Sequence, residues 1–312
     1  MTMNKRDVLL NLINGSTPPD YVPAGFFMHF DPAYHQGQPS VDKHLEFFRA
    51  TGMDFIKIQY EQGVPPVPPI RKPEDWAQAP RCSREYFEPT IRGVEGLVKA
   101  AGAEALVIMT VYSPFMWAGH LTTPAELASH LRENPQAVRK GLEILTENVL
   151  TLVRACKQAG VDGFYVSSQG GEAFRFKGTD IFQKYIKPTD LAVWAEVQDR
   201  PFNILHVCDY NGGYDDLSPF LDYPGHVVNC SLKVGEQTLS PKQASQLFGR
   251  PFMGGLERKG TIATGSLEEV RRAAADVLAE KPDRFILAAD CTVPSETPWD
   301  HLKIAIDTAH RH

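Results

Sequence analysis

Nowhere in these 312 residues is there a run of about 18 apolar residues, the length that suggests a membrane-spanning helix. A secretory leader's unbroken apolar centre is missing too. The opening stretch, Met1 to Asn14, sets Lys5, Arg6 and Asp7 beside Val8, Leu9, Leu10 and Leu12, and no small-residue cleavage site follows. Basic charge is scarce. The 32 Lys and Arg against 38 Asp and Glu leave a formal net charge of −6, and with no long basic run there is no electrostatic footprint for nucleic acid or an anionic membrane. Five cysteines, odd in number and widely spaced, do not make a disulfide framework. A reducing cytoplasm is the expected location, where thiols stay free for metal binding or catalysis. Internal repeats, low-complexity segments and domain linkers are also absent, so residues 1–312 are expected to form a single domain.

What is present is an alternation. With 43% hydrophobic and 22% charged residues the chain can build a large core. Short β-rich runs recur at Val22–His29, Asp54–Gln59, Ala105–Val111, Gly163–Ser167, Asn203–His206, Val227–Asn229, Pro251–Gly254 and Phe285–Ala288. Helical stretches separate them: Ser40–Thr51, Ile91–Ala101, Pro135–Ala159, Ile181–Val197, Ser240–Phe248, Leu267–Glu280 and Trp299–His310. Thr123-Pro124 and Ser240-Pro241 put a capping hydroxyl before a proline at the first helical position. Ser266 followed by Glu269 reads as a capping box, and Gly102 and Gly160 follow helices where a terminal glycine is expected. Eight strand–helix units predict an α/β fold, a (β/α)8 TIM barrel with an extra N-terminal helix. An open doubly wound sheet is the alternative, but no Gly-x-Gly-x-x-Gly follows the first strand. The four-proline segment Gly63–Ile70 after the second strand reads as a stiff wall of the barrel mouth rather than a docking motif.

In a barrel, reactive groups gather where strands end. The fifth predicted strand runs into His206-Val-Cys208-Asp209, the sixth into Cys230, and the eighth into Asp290-Cys291. His206 and Cys208 are two apart, so on an extended chain both face one way. Thiolates with an imidazole are ligands that zinc prefers. His206, Cys208 and Cys291 are therefore the candidate metal ligands. A lone His-x-Cys arises by chance about one time in six in such a chain and is a weak signal; its conjunction with Cys291 is what points to a metal. Cys82, in a loop, and Cys156, mid-helix, read as ordinary small residues. Asp209 and Asp290 are candidates to orient His206 through its second ring nitrogen; the bland reading has them capping helices or facing solvent. His29, Tyr112, Gln169 and Glu172 are candidate substrate contacts at strand ends. Phe26, Phe27, Phe115 and Trp117 would wall an apolar cavity or simply fill the core.

These segments resemble the uroporphyrinogen decarboxylase superfamily, and within it the zinc methyltransferases of the methylcobalamin:coenzyme M type. The likeness spans nearly the whole chain. It is carried by Asn14-Gly15 and Pro19-Asp20-Tyr21-Val22-Pro23, by Gly160-Val-Asp-Gly-Phe164, by His206-x-Cys208, by Gly254-Gly255, by Thr264-Gly-Ser-Leu-Glu-Glu-Val270 and by Cys291-Thr-Val-Pro294 with Thr297-Pro298. The resemblance implies Zn2+ on His206, Cys208 and Cys291. It also implies transfer of a methyl group from a corrinoid, free or carried by a corrinoid protein, to a small-molecule thiol. The cobalamin-independent methionine synthases, distant relatives, have a glutamate ligand at the offset that here holds Cys230, so Cys230 is either a fourth ligand or a buried strand-end thiol. Uroporphyrinogen decarboxylases carry an arginine-rich substrate segment near the N-terminus, where this chain reads Phe26-Phe-Met-His-Phe-Asp-Pro32. Two alternatives accompany the methyltransferase: a cofactor-free decarboxylase of a tetrapyrrole-like acid, and a non-catalytic barrel with a closed four-ligand zinc site.

Overall fold

The computed structural model describes residues 4–15 and 21–312. Met1–Met3, and Pro19 and Asp20 of the opening motif, lie outside the described residues. The strands are β1 Phe55–Ile58, β2 Leu106–Tyr112, β3 Gly163–Ser168, β4 Ile204–Val207, β5 Val227–Cys230, β6 Lys233–Val234, β7 Gln237–Thr238, β8 Phe252–Leu256 and β9 Phe285–Ala289. Seven of them form one curled sheet in the order β1-β2-β3-β4-β5-β8-β9, parallel throughout. β6 and β7 make a small antiparallel pair. Helices cover the outside, as the crossovers between parallel neighbours require.

The first expected strand, Val22–His29, is not a regular strand. It contributes a single parallel bridge, Ala24 to Leu287. On the β9 side, Gly25 N donates to Leu287 O at 3.0 Å and Leu287 N to Pro23 O at 2.9 Å. On the β1 side, Asp54 N donates to Ala24 O at 3.0 Å, but the Ala24 N–H goes to the Asp54 carboxylate at 2.7 Å. A side chain takes the donor that a ladder would use, and Pro23 has no N–H to offer. The same carboxylate accepts from Tyr21 OH at 2.5 Å and lies 2.9 Å from His310 Nε2, so Asp54 ties this segment to the last helix.

The helix expected over Ile181–Val197 opens as a π-helical turn, Phe182–Ile186, before continuing as Lys187–Val197. Pro188, which cannot donate, sits just after the change of pitch.

Strand parity decides the rest. Phe55, Leu106, Ile108, Tyr165, Ile204, Val227, Met253, Ile286 and Ala288 share one buried cluster inside the sheet, and Leu9 and Leu12 of the helix Lys5–Ile13 pack into it. Two residues further along β1 to β5 the inward positions turn polar: Lys57, Thr110, Ser167, His206 and Asn229. The interior is thus apolar at the N-terminal end and chemically equipped at the other. Among the described residues no helix is long and apolar enough to cross a membrane.

Candidate metal centre

A cavity of about 950 Å³ opens above that polar layer, lined in part by Lys57, Gln169, His206, Cys208, Arg258 and Cys291. His206 and Cys208 arrive from β4 and the turn after it, and Cys291 from the turn after β9. One ligand atom from each of the three lies within 4.8 Å of the others. His206 stacks on Tyr165, with centroids 4.8 Å apart and planes 28° from parallel. The Tyr165 hydroxyl is held by Asn229 Oδ1 at 2.6 Å. Both ring nitrogens of His206 are buried without a hydrogen-bond partner. Leaving such groups unpaired costs about 1–3 kcal/mol each, and a cation held between them and the two sulfurs would remove one such penalty. One nitrogen and two sulfurs suit zinc. The hydrogen bond from Cys291 to Cys208 holds the Cys208 thiol below the usual range and raises that of Cys291 well above it. Gln169 Nε2 also donates to Cys208 Sγ, at 3.3 Å.

Cys230 stands apart from the cluster of three. In the ladder His206 pairs with Asn229 and Val207 with Cys230, so Cys230 faces the helices, in the outer core with Val207 and Val228. Burial pushes its thiol up to about 12, as it does that of Cys156. Neither Asp209 nor Asp290 orients His206. Both turn to Arg258, whose Nη1 is 2.5 Å from Asp209 Oδ1 and whose backbone N is 2.9 Å from Asp290 Oδ1.

His29, Tyr112 and Gln169 line the cavity, and Glu172 does not. Its carboxylate is taken by Arg175 Nε at 2.8 Å, Arg175 Nη2 at 3.1 Å and Gly170 N at 2.9 Å, all buried. Glu172 thus braces its own loop. Of the four candidate wall aromatics only Phe115 reaches the cavity; Phe27 lies beneath it, its ring 4.5 Å from Lys57 Nζ, and Phe26 and Trp117 are in the outer core. Of the proline-rich segment only Gly63 lines the cavity.

Lys57 went unnoticed in the sequence, although one lysine at an inward position of Phe-Ile-Lys-Ile is a readable anomaly. Its ammonium donates to Gln59 Oε1 and, at 3.1 Å, to Thr110 Oγ1, and lies 4.6 Å from the Tyr165 ring centre. Gln59 in turn donates to His29 Nε2 at 3.1 Å, while His29 Nδ1 lies 2.9 Å from Glu61. Burial pushes Lys57 down to about 7 against the opposing pull of Cys291, Glu61 and Cys208. Below that pH the folded protein carries a buried charge. As pH rises toward the ordinary lysine range the folded form sheds its proton while the unfolded chain keeps it, so the penalty falls, by up to about 1.4 kcal/mol per pH unit. Lys57→Met should therefore raise the Tm of the metal-free protein most near pH 6 and less near pH 9. Equal gains at both pH values in a thermal melt would contradict this.

A curled parallel α/β sheet with a nitrogen–sulfur donor cluster at its C-terminal strand ends defines a barrel-like protein with a candidate metal site. The chain belongs to the uroporphyrinogen decarboxylase family, whose model, described as "Uroporphyrinogen decarboxylase (URO-D)", matches residues 47–312. A search of curated proteins gives no significant match. Among solved structures, a methyltransferase from Methanosarcina mazei superposes with a TM-score of 0.80 at 16% identity, covering 98% of each chain. A B12-independent methionine synthase from Shewanella sp. W3-18-1 gives 0.57 at 12% identity, over 94% of this chain and 93% of that one. Bacillus subtilis mannanase BCman gives 0.51 at 12%, over 96% and 89%. So wide a range of chemistries on one fold means that function must be argued from the site.

Proposed function

We propose that this protein is a zinc-dependent methyltransferase on a (β/α)8 barrel, moving a methyl group from a corrinoid to a small-molecule thiol. The observation that carries the reading is the meeting of His206, Cys208 and Cys291 on the wall of an open cavity. Three protein ligands leave a tetrahedral ion one position for a substrate. Cys230, facing away, is not placed to close that shell, which favours a catalyst over a structural plug. When bound, zinc supplies the acidity that makes a thiol a thiolate nucleophile at neutral pH.

The chain's own groups do the remaining work. Gln169 donates to the Cys208 sulfur and fixes its orientation. Lys57 and His29, joined through Gln59, offer polar contacts to whatever enters beside the cluster. In the overall step the thiol sulfur gains the methyl group, its proton is released, and the cobalt–carbon pair stays on cobalt, which becomes Co(I). A corrinoid protein at the mouth is the proposed donor in the cell, and the free thiols fit a reducing cytoplasm.

The test is incubation with methylcobalamin and a panel of small thiols, reading cob(I)alamin by absorbance under anaerobic conditions. As-purified and zinc-reconstituted protein should demethylate the cobalamin only when a thiol is present, and chelator-stripped protein should not. Carbon dioxide release from a porphyrinogen acid, indifferent to chelation and unaccompanied by demethylation, would establish the decarboxylase instead.

A further inference from the structure

We propose that Arg258 is a positioning residue that sets the separation of Cys208 and Cys291, and with it the ability of the cluster to hold zinc. This rests on the reading of those cysteines as ligands. The two sulfurs come from distant parts of the sheet: β5 and β8 stand between β4 and β9, so no ladder bond fixes the gap between their C-terminal turns. Arg258, two residues beyond the end of β8, spans it. Its Nη1 is 2.5 Å from Oδ1 of Asp209, the residue after Cys208, and 3.6 Å from Oδ1 of Asp290, the residue before Cys291. The backbone N–H of Arg258 donates to the same Asp290 oxygen at 2.9 Å, and Asp290 N donates to Leu256 O at 2.8 Å. The three side chains are 11%, 16% and 9% exposed.

Other anchors hold each turn separately. Cys208 N donates to Ser168 O on β3, and Tyr214 OH to Cys208 O within the β4 loop. Asn229 Nδ2 donates to Met253 O and Ala289 O, tying β5 to β8 and β9 beneath the site. Among the described residues, the Arg258–Asp209 pair is the one ion pair that joins the β4 turn to the β8 and β9 turns. Charge adds to geometry. Removing the guanidinium would leave the Asp209 and Asp290 carboxylates without their shared cation, and their mutual repulsion would widen the gap between the two cysteine-bearing turns.

The experiment measures zinc affinity of the full chain by competition with a chromophoric chelator, alongside the thiolate-to-cobalt band of the Co(II)-substituted protein and the Tm of each metal-free form. Arg258→Gln should weaken zinc binding about 10–100-fold, the range seen when partners outside the ligand shell are lost, and should diminish and shift the cobalt band. Arg258→Lys, which keeps the charge but not the fork, should recover most of the affinity. Asp209→Asn should weaken binding in the same direction, and combined with Arg258→Gln should add little further loss. If Arg258→Gln, or Asp209→Asn should the first fail to fold, lowers Tm yet keeps wild-type zinc affinity and the wild-type cobalt band, Arg258 is only a brace and the proposal fails. Failure of the ligand reading looks different: wild-type protein would bind no zinc, or Cys208→Ala would bind it as tightly as wild type.

Discussion

Cys208→Ala and Cys291→Ala will each purify with almost no zinc, whereas Cys230→Ser will keep one ion per chain. Zinc on a nitrogen and two sulfurs draws its binding energy from few bonds, and apparent binding free energies at structural sites with a full ligand set run to about 10–16 kcal/mol. Removing a direct ligand should therefore cost more than the roughly 10–100-fold lost when an outer partner is removed. The three donor atoms lie within 4.8 Å of one another, and alanine at either cysteine leaves only one sulfur and one imidazole. Cys230 is as buried as the others but lies on the opposite face of β5, so its replacement tests whether being a cysteine or being inward matters. Metal analysis by atomic emission on freshly purified protein decides it. Full zinc in either alanine variant would sink the site.

Gly163→Ala should be the most damaging single methyl group in the chain. At the start of β3, an added Cβ would stand 1.7 Å from Phe202 O and 2.5 Å from Phe202 C. Those are backbone atoms of the residue that leads into β4, so no rotamer change can clear them. Phe202 is itself fully buried, its ring 5.7 Å from Phe55, and Phe202 N donates to Asp162 O at 3.1 Å. To admit the methyl group, the start of β3 and the segment leading into β4 must part just before their register begins at Tyr165 and Ile204. A cost of about 4 kcal/mol or more is expected, at the exceptional end for point substitutions, enough to send much of the protein to the insoluble fraction. Gly213→Ala, whose Cβ would meet nothing within 4 Å, should shift the urea midpoint little. Similar midpoints for the two variants would contradict the argument.

Much of this was readable in the sequence, for identifiable reasons. Parallel strands buried on both faces appear as short apolar runs between helices, and seven of the eight expected runs match strands of the sheet. The eighth failed because the ladder donor of Ala24 is taken by the Asp54 side chain, a contact between residues 30 apart that no local pattern reports. His206, Cys208 and Cys291 could be singled out because unusual residue types fell at strand ends. Cys230 stayed open between fourth ligand and strand-end thiol because a sequence offset carries no parity: in the ladder Asn229, not Cys230, keeps step with His206. Glu172 looked like a mouth residue until Arg175, three positions on, claimed its carboxylate. Asp209 and Asp290 were candidates to orient His206 only because they adjoin the ligands in sequence, beside the blander reading as caps or solvent-facing groups. Their actual partner is an arginine from a different turn, which only the folded arrangement brings near.

The inward column of β1 to β4 has a consequence for how this chain can vary. Below, its side chains are tightly packed hydrocarbon against the helix Lys5–Ile13; above, they are the chemical groups of the cavity. A one-residue insertion or deletion in the middle of β4 would turn His206 toward the helices and Val207 toward the cavity, exchanging chemistry for grease in a single step. New specificities on this scaffold are therefore confined to substitutions at the last one or two inward positions and in the turns that follow. The lower layers act as a ratchet: once filled, they hold each strand's phase while the upper layer is free to diversify.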